Sequence, residues 1–148
     1  MIKRLAAKKR IGLIAHDHKK VELIEWAMKN KKLLENHELF GTGTTGRLIE
    51  EALNLPVNKL LSGPLGGDQQ IGSKVAEGKI DVIIFFWDPM EAQPHDPDIK
   101  ALLRIGVVWN IPMACNESTA DFILNSIFMT QDYDSIVPDY NNYIKRKI

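Results

Sequence analysis

Cysteine is nearly missing from this sequence: Cys115 stands alone among 148 residues. A lone cysteine excludes an internal disulfide framework and suits a reducing compartment. An excess of charge of either sign is missing too, because 19 lysines and arginines face 19 aspartates and glutamates. Nothing in that balance points to nucleic acid or an anionic membrane as a partner. Long apolar runs are absent, and no stretch approaches the roughly 20 residues that cross a bilayer. The opening MIKRLAAKKR is basic, yet the apolar run after it, Ile11 to Ala15, is too short for a secretion signal and stops at His16-Asp17-His18. The arm therefore reads as a solvated terminus and the protein as cytoplasmic. No linker or low-complexity stretch divides residues 1–148, so one domain with room for a real core is expected.

What is present alternates short apolar runs with helical patterns. Ile11 to Ala15 reads as a buried strand, and Lys19 to Leu34 as a helix carrying Val21, Leu23, Ile24, Ala27 and Met28. Glu38 to Gly41 is a second strand, followed by a helix with Leu48, Ile49, Ala52 and Leu53. A weaker run, Val57 to Leu61, leads into Ser62-Gly-Pro-Leu-Gly-Gly-Asp68 and a helix from Gln69 to Glu77 that stops at Gly78. Asp81 to Trp87 is the clearest strand, apolar on both faces as in a parallel sheet. Asp98 to Trp109 has a helical face of Ile99, Leu102, Leu103, Ile105 and Val108. Ile111 to Cys115 is a further strand, and Ser118 or Thr119 is placed to cap the helix carrying Phe122 and Ile123. A strand near Ile136 and a final helix from Tyr140 end the pattern. This predicts an α/β fold: an open, mostly parallel sheet of about five strands flanked by helices, Rossmann-like in its layering.

Polar and special residues collect after the strands. His16-Asp17-His18 follows the first, Thr42-Gly43-Thr44-Thr45-Gly46 the second, Ser62 to Asp68 the third, and Asp88 to Asp98 the fourth. In such sheets ligands lie at the carboxyl ends of strands, so these four loops are expected to share one crevice. Gly41 to Gly46 formally matches a dinucleotide fingerprint, but the acidic residue that would hold a ribose is missing at Leu61-Ser62-Gly63. Threonine hydroxyls and free N–H groups at a helix start suit a phosphate monoester better. Ser62, Gly63 and Lys20 can complete that cradle, although Lys20 taken alone reads as solvated. Asp68 reads either as a helix cap or as a carboxylate facing the crevice. His95 sits between Pro94 and Pro97, whose rings restrict the backbone, and can serve as electrophile or proton shuttle; His37 reads as surface. His16 and His18 with Asp88, His95 and Asp98 carry donor atoms for a divalent metal, but no HExxH or paired-cysteine signature supports one.

With these loops in view, the chain resembles methylglyoxal synthase over nearly its whole length. The matching strings are AHDHKK (15–20), TGTTG (42–46), SGPLGGDQQIG (62–72), IFFWDP (84–89), PHDPDIKALLR (94–104), CNESTAD (115–121) and PDY (138–140). The resemblance implies conversion of dihydroxyacetone phosphate to methylglyoxal and inorganic phosphate, with no cofactor and no metal. It implies Asp68 as catalytic base and His95 as electrophile. It places substrate and phosphate contacts on His16, Lys20, Thr42, Gly43, Thr44, Thr45, Ser62 and Gly63, with Asp17, Asp88 and Asp98 in support. It also implies a homohexamer inhibited cooperatively by phosphate. A departure lies in the C-terminal tail, where the family carries an arginine near the site and this chain offers Arg146-Lys147.

The chemistry suits the residue types without the name. A hydrogen beside a carbonyl is poorly acidic, so a carboxylate base works only if the developing enediolate is stabilised as the proton leaves. A neutral imidazole can donate to that oxygen, as in the isomerase pattern. Threonines, a lysine and glycine amides suit the leaving phosphate dianion. The main rival is a ligand-sensing regulatory domain of the same fold, which needs neither a base nor an electrophile. A nucleotide-linked oxidoreductase rests only on the glycine pattern, and a metal-dependent phosphatase would need His16, His18 and Asp88 to converge.

Overall fold

An uninterrupted apolar strand is stable only where both its faces are covered, and the two most apolar runs of this chain lie side by side. In the computed structural model, which describes residues 1–146, β2 (Arg10–Ala15) is the middle strand of a five-stranded sheet. On one side it pairs with β3 (Glu38–Thr42), which pairs with the edge strand β4 (Val57–Leu60). On the other it pairs with β5 (Val82–Phe86), which pairs with the two-residue β6 (Met113–Ala114). Every pairing in this sheet is parallel. The carboxyl ends of β2, β3, β4 and β5 therefore open on one edge, as expected from the sequence.

The pleat sends alternate residues to opposite layers. Ile11, Leu13, Ile84 and Phe86 join a core with Leu23, Trp26, Ile49 and Leu53 from α1 (Lys20–Lys29) and α3 (Gly43–Leu53). Ile14, Ile83 and Phe85 join a second core with Ile71, Val75, Ile99 and Leu102 from α4 (Gly67–Ala76) and α5 (Asp96–Val108). Helices thus cover both faces. Among the described residues, no helix is long and apolar enough to cross a membrane.

Several expectations need correction. The basic arm is not solvated: β1 (Ile2–Leu5) pairs antiparallel with β7 (Tyr133–Ile136), and Leu5 and Lys9 are buried. The Lys9 ammonium is held by the carbonyls of Ala6 and Gln131. His37 is not a surface residue; it is buried, and its Nδ1 accepts the Lys9 backbone N–H at 3.0 Å. The helix expected over residues 19–34 is broken at Asn30, leaving α1 and a short α2 (Lys31–Leu34). Its buried face is Leu23, Trp26 and Ala27, while Val21 and Met28 are exposed. Asn116, not Ser118 or Thr119, caps α6 (Glu117–Leu124), accepting from the Thr119 N–H at 2.9 Å, and Phe122 faces outward. The last helix, α7 (Asn141–Ile144), is a single turn.

Arg10 and Asp81 tie the starts of β2 and β5 together. The Asp81 carboxylate accepts from the Arg10 backbone N–H at 2.9 Å and from its guanidinium at 2.9 and 2.8 Å. Asp81 is buried, so its loss strands these donors in a partly dry place. Asp81→Ala should cost about 1.5–3 kcal/mol, the range for hydrogen bonds to charged groups. A urea midpoint lowered with unchanged slope would register it.

Candidate active site

Each strand end delivers one part of the site. After β2, the His16 N–H donates to the Phe86 carbonyl at 3.2 Å, which continues the ladder to the neighbouring strand, and its ring packs edge-on to Phe85. His16 is buried, and its Nδ1 accepts the Asp88 backbone N–H at 2.9 Å. That bond assigns the proton of the neutral ring to Nε2, which is buried without a protein partner. Burial, and then the neighbouring His95 ring, hold the His16 pKa below its ordinary value, so the ring stays neutral at pH 7.

After β3, Thr42 and Thr45 are buried and Gly43 begins α3 with φ +46°. Glycine is required there, because a Cβ at Gly43 would lie 2.7 Å from the Cβ of Ser62. The turns after β3 and β4 are thereby pressed together. The N–H groups of the first turn of α3 lack carbonyl partners within the helix, and the helix dipole adds partial positive charge. Lys20 opens α1 nearby, its ammonium held by Asp17 at 2.6 Å. That pairing holds the exposed Asp17 carboxyl below the usual range.

After β4, Ser62-Gly63 leads through a short 3-10 turn into α4. Asp68 is not the helix cap. Gly66 occupies that position, and Asp68 lies in the first turn, buried, with Oδ2 making no hydrogen bond. The helix starts at Gly67, two residues before the expected Gln69. His95 stands at the N-cap of α5, after the long turn that follows β5, and its Nε2 lies 3.5 Å from Asp68 Oδ2. Burial raises the Asp68 pKa, the nearby His95 opposes that shift, and the Asp98 carboxylate reinforces it. The His16 and His95 rings are perpendicular, with centroids 5.9 Å apart.

These groups surround one cavity of about 280 Å³. Asp68, His95, His16, Lys20, Thr42, Gly43, Thr44, Thr45, Ser62, Gly63 and Asp17 all line it. Asp88 and Asp98 do not. The Asp88 carboxylate accepts from the Met90 N–H at 2.9 Å, and Asp98 accepts from the Gln69 amide at 3.0 Å. Neither is the close carboxylate of His95; Asp68 is. Gln93 also lines the cavity and escaped the sequence reading. Its position two residues before His95, in the same proline-flanked loop, was the available signal. The five metal donors weighed from the sequence do not converge either, because His16 Nδ1 is already engaged and His18 turns to Asp88 and Glu91. In the tail, Arg146 stacks on Tyr143 and is not among the cavity residues; Lys147 lies outside the described residues.

Gly63 sets the spacing of the central pair. A Cβ there would lie 2.8 Å from His95 Nε2 and 3.2 Å from Asp68 Oδ2. Gly63→Ala should therefore lower turnover by about 10²-fold, the usual consequence of a displacement near 1 Å. The urea midpoint should change little, since the added methyl meets side-chain tips at a cavity wall.

The sequence and the fold both have known relatives. Residues 22–115 match the MGS-like domain family. The chain is 58% identical to the methylglyoxal synthase of Leptospira interrogans over 138 residues, covering 93% of each chain. It is 58% identical to that of Coxiella burnetii over 95% of this chain and 98% of the other. It is 51% identical to that of Yersinia enterocolitica over 97% and 95%. The crystal structure of methylglyoxal synthase from Elizabethkingia anophelis superposes with a TM-score of 0.95 at 57% identity, covering 100% of this chain and 97% of that one. With an MGS-like domain and identity above half along nearly the full length of both partners, this chain belongs to the methylglyoxal synthase family.

Proposed function

We propose that this protein is a lyase that converts dihydroxyacetone phosphate to methylglyoxal and inorganic phosphate. The observation that carries the reading is the buried Asp68 carboxylate, without a hydrogen bond on Oδ2 and 3.5 Å from His95, in the same cavity as the Thr42–Thr45 turn. A carboxylate kept partly dry and raised in pKa is a stronger base than one in water. It takes the proton beside the carbonyl. The His95 imidazole donates to the oxygen on which charge develops, giving an enediolate. The electrons of the enediolate then expel the phosphate as its C–O bond breaks, and the resulting enol tautomerises to the 2-oxoaldehyde. The hydroxyls at Thr42 to Thr45 and the N–H groups that open α3 beyond Gly43, whose own N–H is given to the Leu61 carbonyl, receive the phosphate dianion with Ser62, Gly63 and Lys20. His16 offers its Nε2–H to the same ligand. A ligand-sensing domain has no use for a buried carboxylate beside an imidazole, and the lyase reading uses both.

Phosphate is then both product and competitor, and we place its inhibitory binding in this cradle. Assembly follows the same reading: we expect a homohexamer, supported by the exposed apolar side chains of Val107, Phe122, Ile127, Ile136 and Ile144. The reading also places the enzyme in the cytoplasm, with no nucleic acid or membrane partner. The direct test supplies dihydroxyacetone phosphate and assays 2-oxoaldehyde and phosphate with and without EDTA. Equal formation of both products in both conditions is expected; loss of turnover in EDTA would move the chemistry to a metal.

A further inference from the structure

We propose that His18, Asp88 and Glu91 hold a divalent transition-metal ion of the Zn²⁺ class, outside the catalytic cavity. His18 Nδ1 lies 3.3 Å from Asp88 Oδ2 and 2.7 Å from Glu91 Oε2, and all three donor atoms lie within 4.8 Å of one another. One imidazole N–H serves one acceptor well, whereas two carboxylates converge here on a single nitrogen. A cation satisfies all three donors together. The Asp88 side chain is 7% exposed, a poor place for an ionised carboxylate without full compensation. Its Oδ1 accepts the Met90 N–H at 2.9 Å, while Oδ2 has no hydrogen bond of ordinary length and faces the imidazole.

The spacing fits the ion. Zinc–nitrogen and zinc–oxygen bonds near 2.1 Å put neighbouring tetrahedral ligands about 3.4 Å apart. The imidazole and Asp88 already stand at that separation, and Glu91, whose exposed side chain can shift, has its oxygen within 4.8 Å of both other donors. An imidazole with two carboxylates suits zinc and its neighbours in the transition series better than magnesium or calcium. Asp88 and Glu91 also face a hollow of about 510 Å³, lined with Trp87, Met90 and Asp96, which leaves room for the waters that complete the shell.

This hollow is separate from the catalytic cavity, so the ion takes no part in the lyase reaction. It would instead join the turn after β2 to the loop after β5. The Asp88 backbone already holds His16 Nδ1, so the clip braces the two segments that carry His16 and His95.

The test uses the full chain, stripped with EDTA, dialysed and titrated with Zn²⁺ alone by calorimetry, with thermal unfolding followed in parallel. One ion per chain and a raised midpoint are expected, because the ion binds the folded form. His18→Ala and Glu91→Gln should each weaken binding by at least about tenfold, the lower range for disturbing a metal's surroundings, and remove the rise in midpoint. Both variants should turn over at the parent rate in EDTA, which also shows that they fold. Absence of Zn²⁺ binding, or equal binding by both variants, would overturn the proposal. Because the readouts are affinity and midpoint, they stand whether or not the lyase assignment holds.

Discussion

Asp68→Asn should lower turnover by at least about 10²-fold, the low end for a positioned base, while phosphate still binds. The amide keeps the shape of the carboxylate and cannot take a proton. The cradle at Thr42 to Thr45 is built from other segments and should be unaffected. The pH dependence carries a sign that separates this from simple damage. Burial raises the Asp68 pKa above its unfolded value, so folding opposes ionisation. The parent protein carries no such penalty below about pH 4, where the group is protonated folded or unfolded. It loses that stability as pH rises through the native pKa. The asparagine variant escapes the penalty, so its stability relative to the parent should grow between pH 4 and neutrality. Urea unfolding at the two pH values reads this directly. In the parent, kcat/KM should fall on the acid side with an apparent pKa above the ordinary aspartate range. Unchanged turnover in Asp68→Asn would remove the mechanism.

His95→Gln should reduce kcat by about 10²–10³-fold, the range for losing one donor to a developing oxyanion. The donor matters only when charge appears on the substrate oxygen, so kcat and kcat/KM should fall together with KM nearly constant. A variant that raised KM alone would make His95 a ground-state contact. The double variant with Asp68→Asn should cost far less than the product of the two single losses, because the pair acts as a unit across 3.5 Å.

Much of the scaffold was legible because its signals are local. Continuous apolar runs at 11–15 and 82–86 admit only a covered strand, and the turn residues after each strand marked the working edge of the sheet. The failures share a cause, which is dependence on distant partners. Nothing near Lys9 or His37 announces that they meet each other, and nothing near Ile2 announces Ile136. The break at Asn30 was hidden because its flanks are good helix formers, and only the fold shows Asn30 leaving helical geometry while Leu34 beyond it is buried. At the site, Asp68 was legible as a residue type but not as a free carboxylate, since a cap and a base look alike until the Gly66 turn is seen. Asp88 and Asp98 stood out as carboxylates after a strand and, by the resemblance, as supporting groups; neither lines the cavity, Asp88 accepting from a loop amide and Asp98 from Gln69, while the Asp98 charge still acts on Asp68. The family strings supplied the roles that spacing could not.

The ribbon of β1 and β7 has a consequence for how the protein is made. Arg4 and Asp134 meet across 130 positions, and the amine of Met1 reaches the carbonyl of Val137. During synthesis β1 has no mate until β7, far along the sequence, has left the ribosome. Loop closure over that length is slow, so the parallel sheet has to assemble beforehand and the two ends zip last. The interval in between leaves a sticky basic thread hanging from a finished sheet with its helices, and it is then that a nascent copy is most exposed to mispairing with its neighbours.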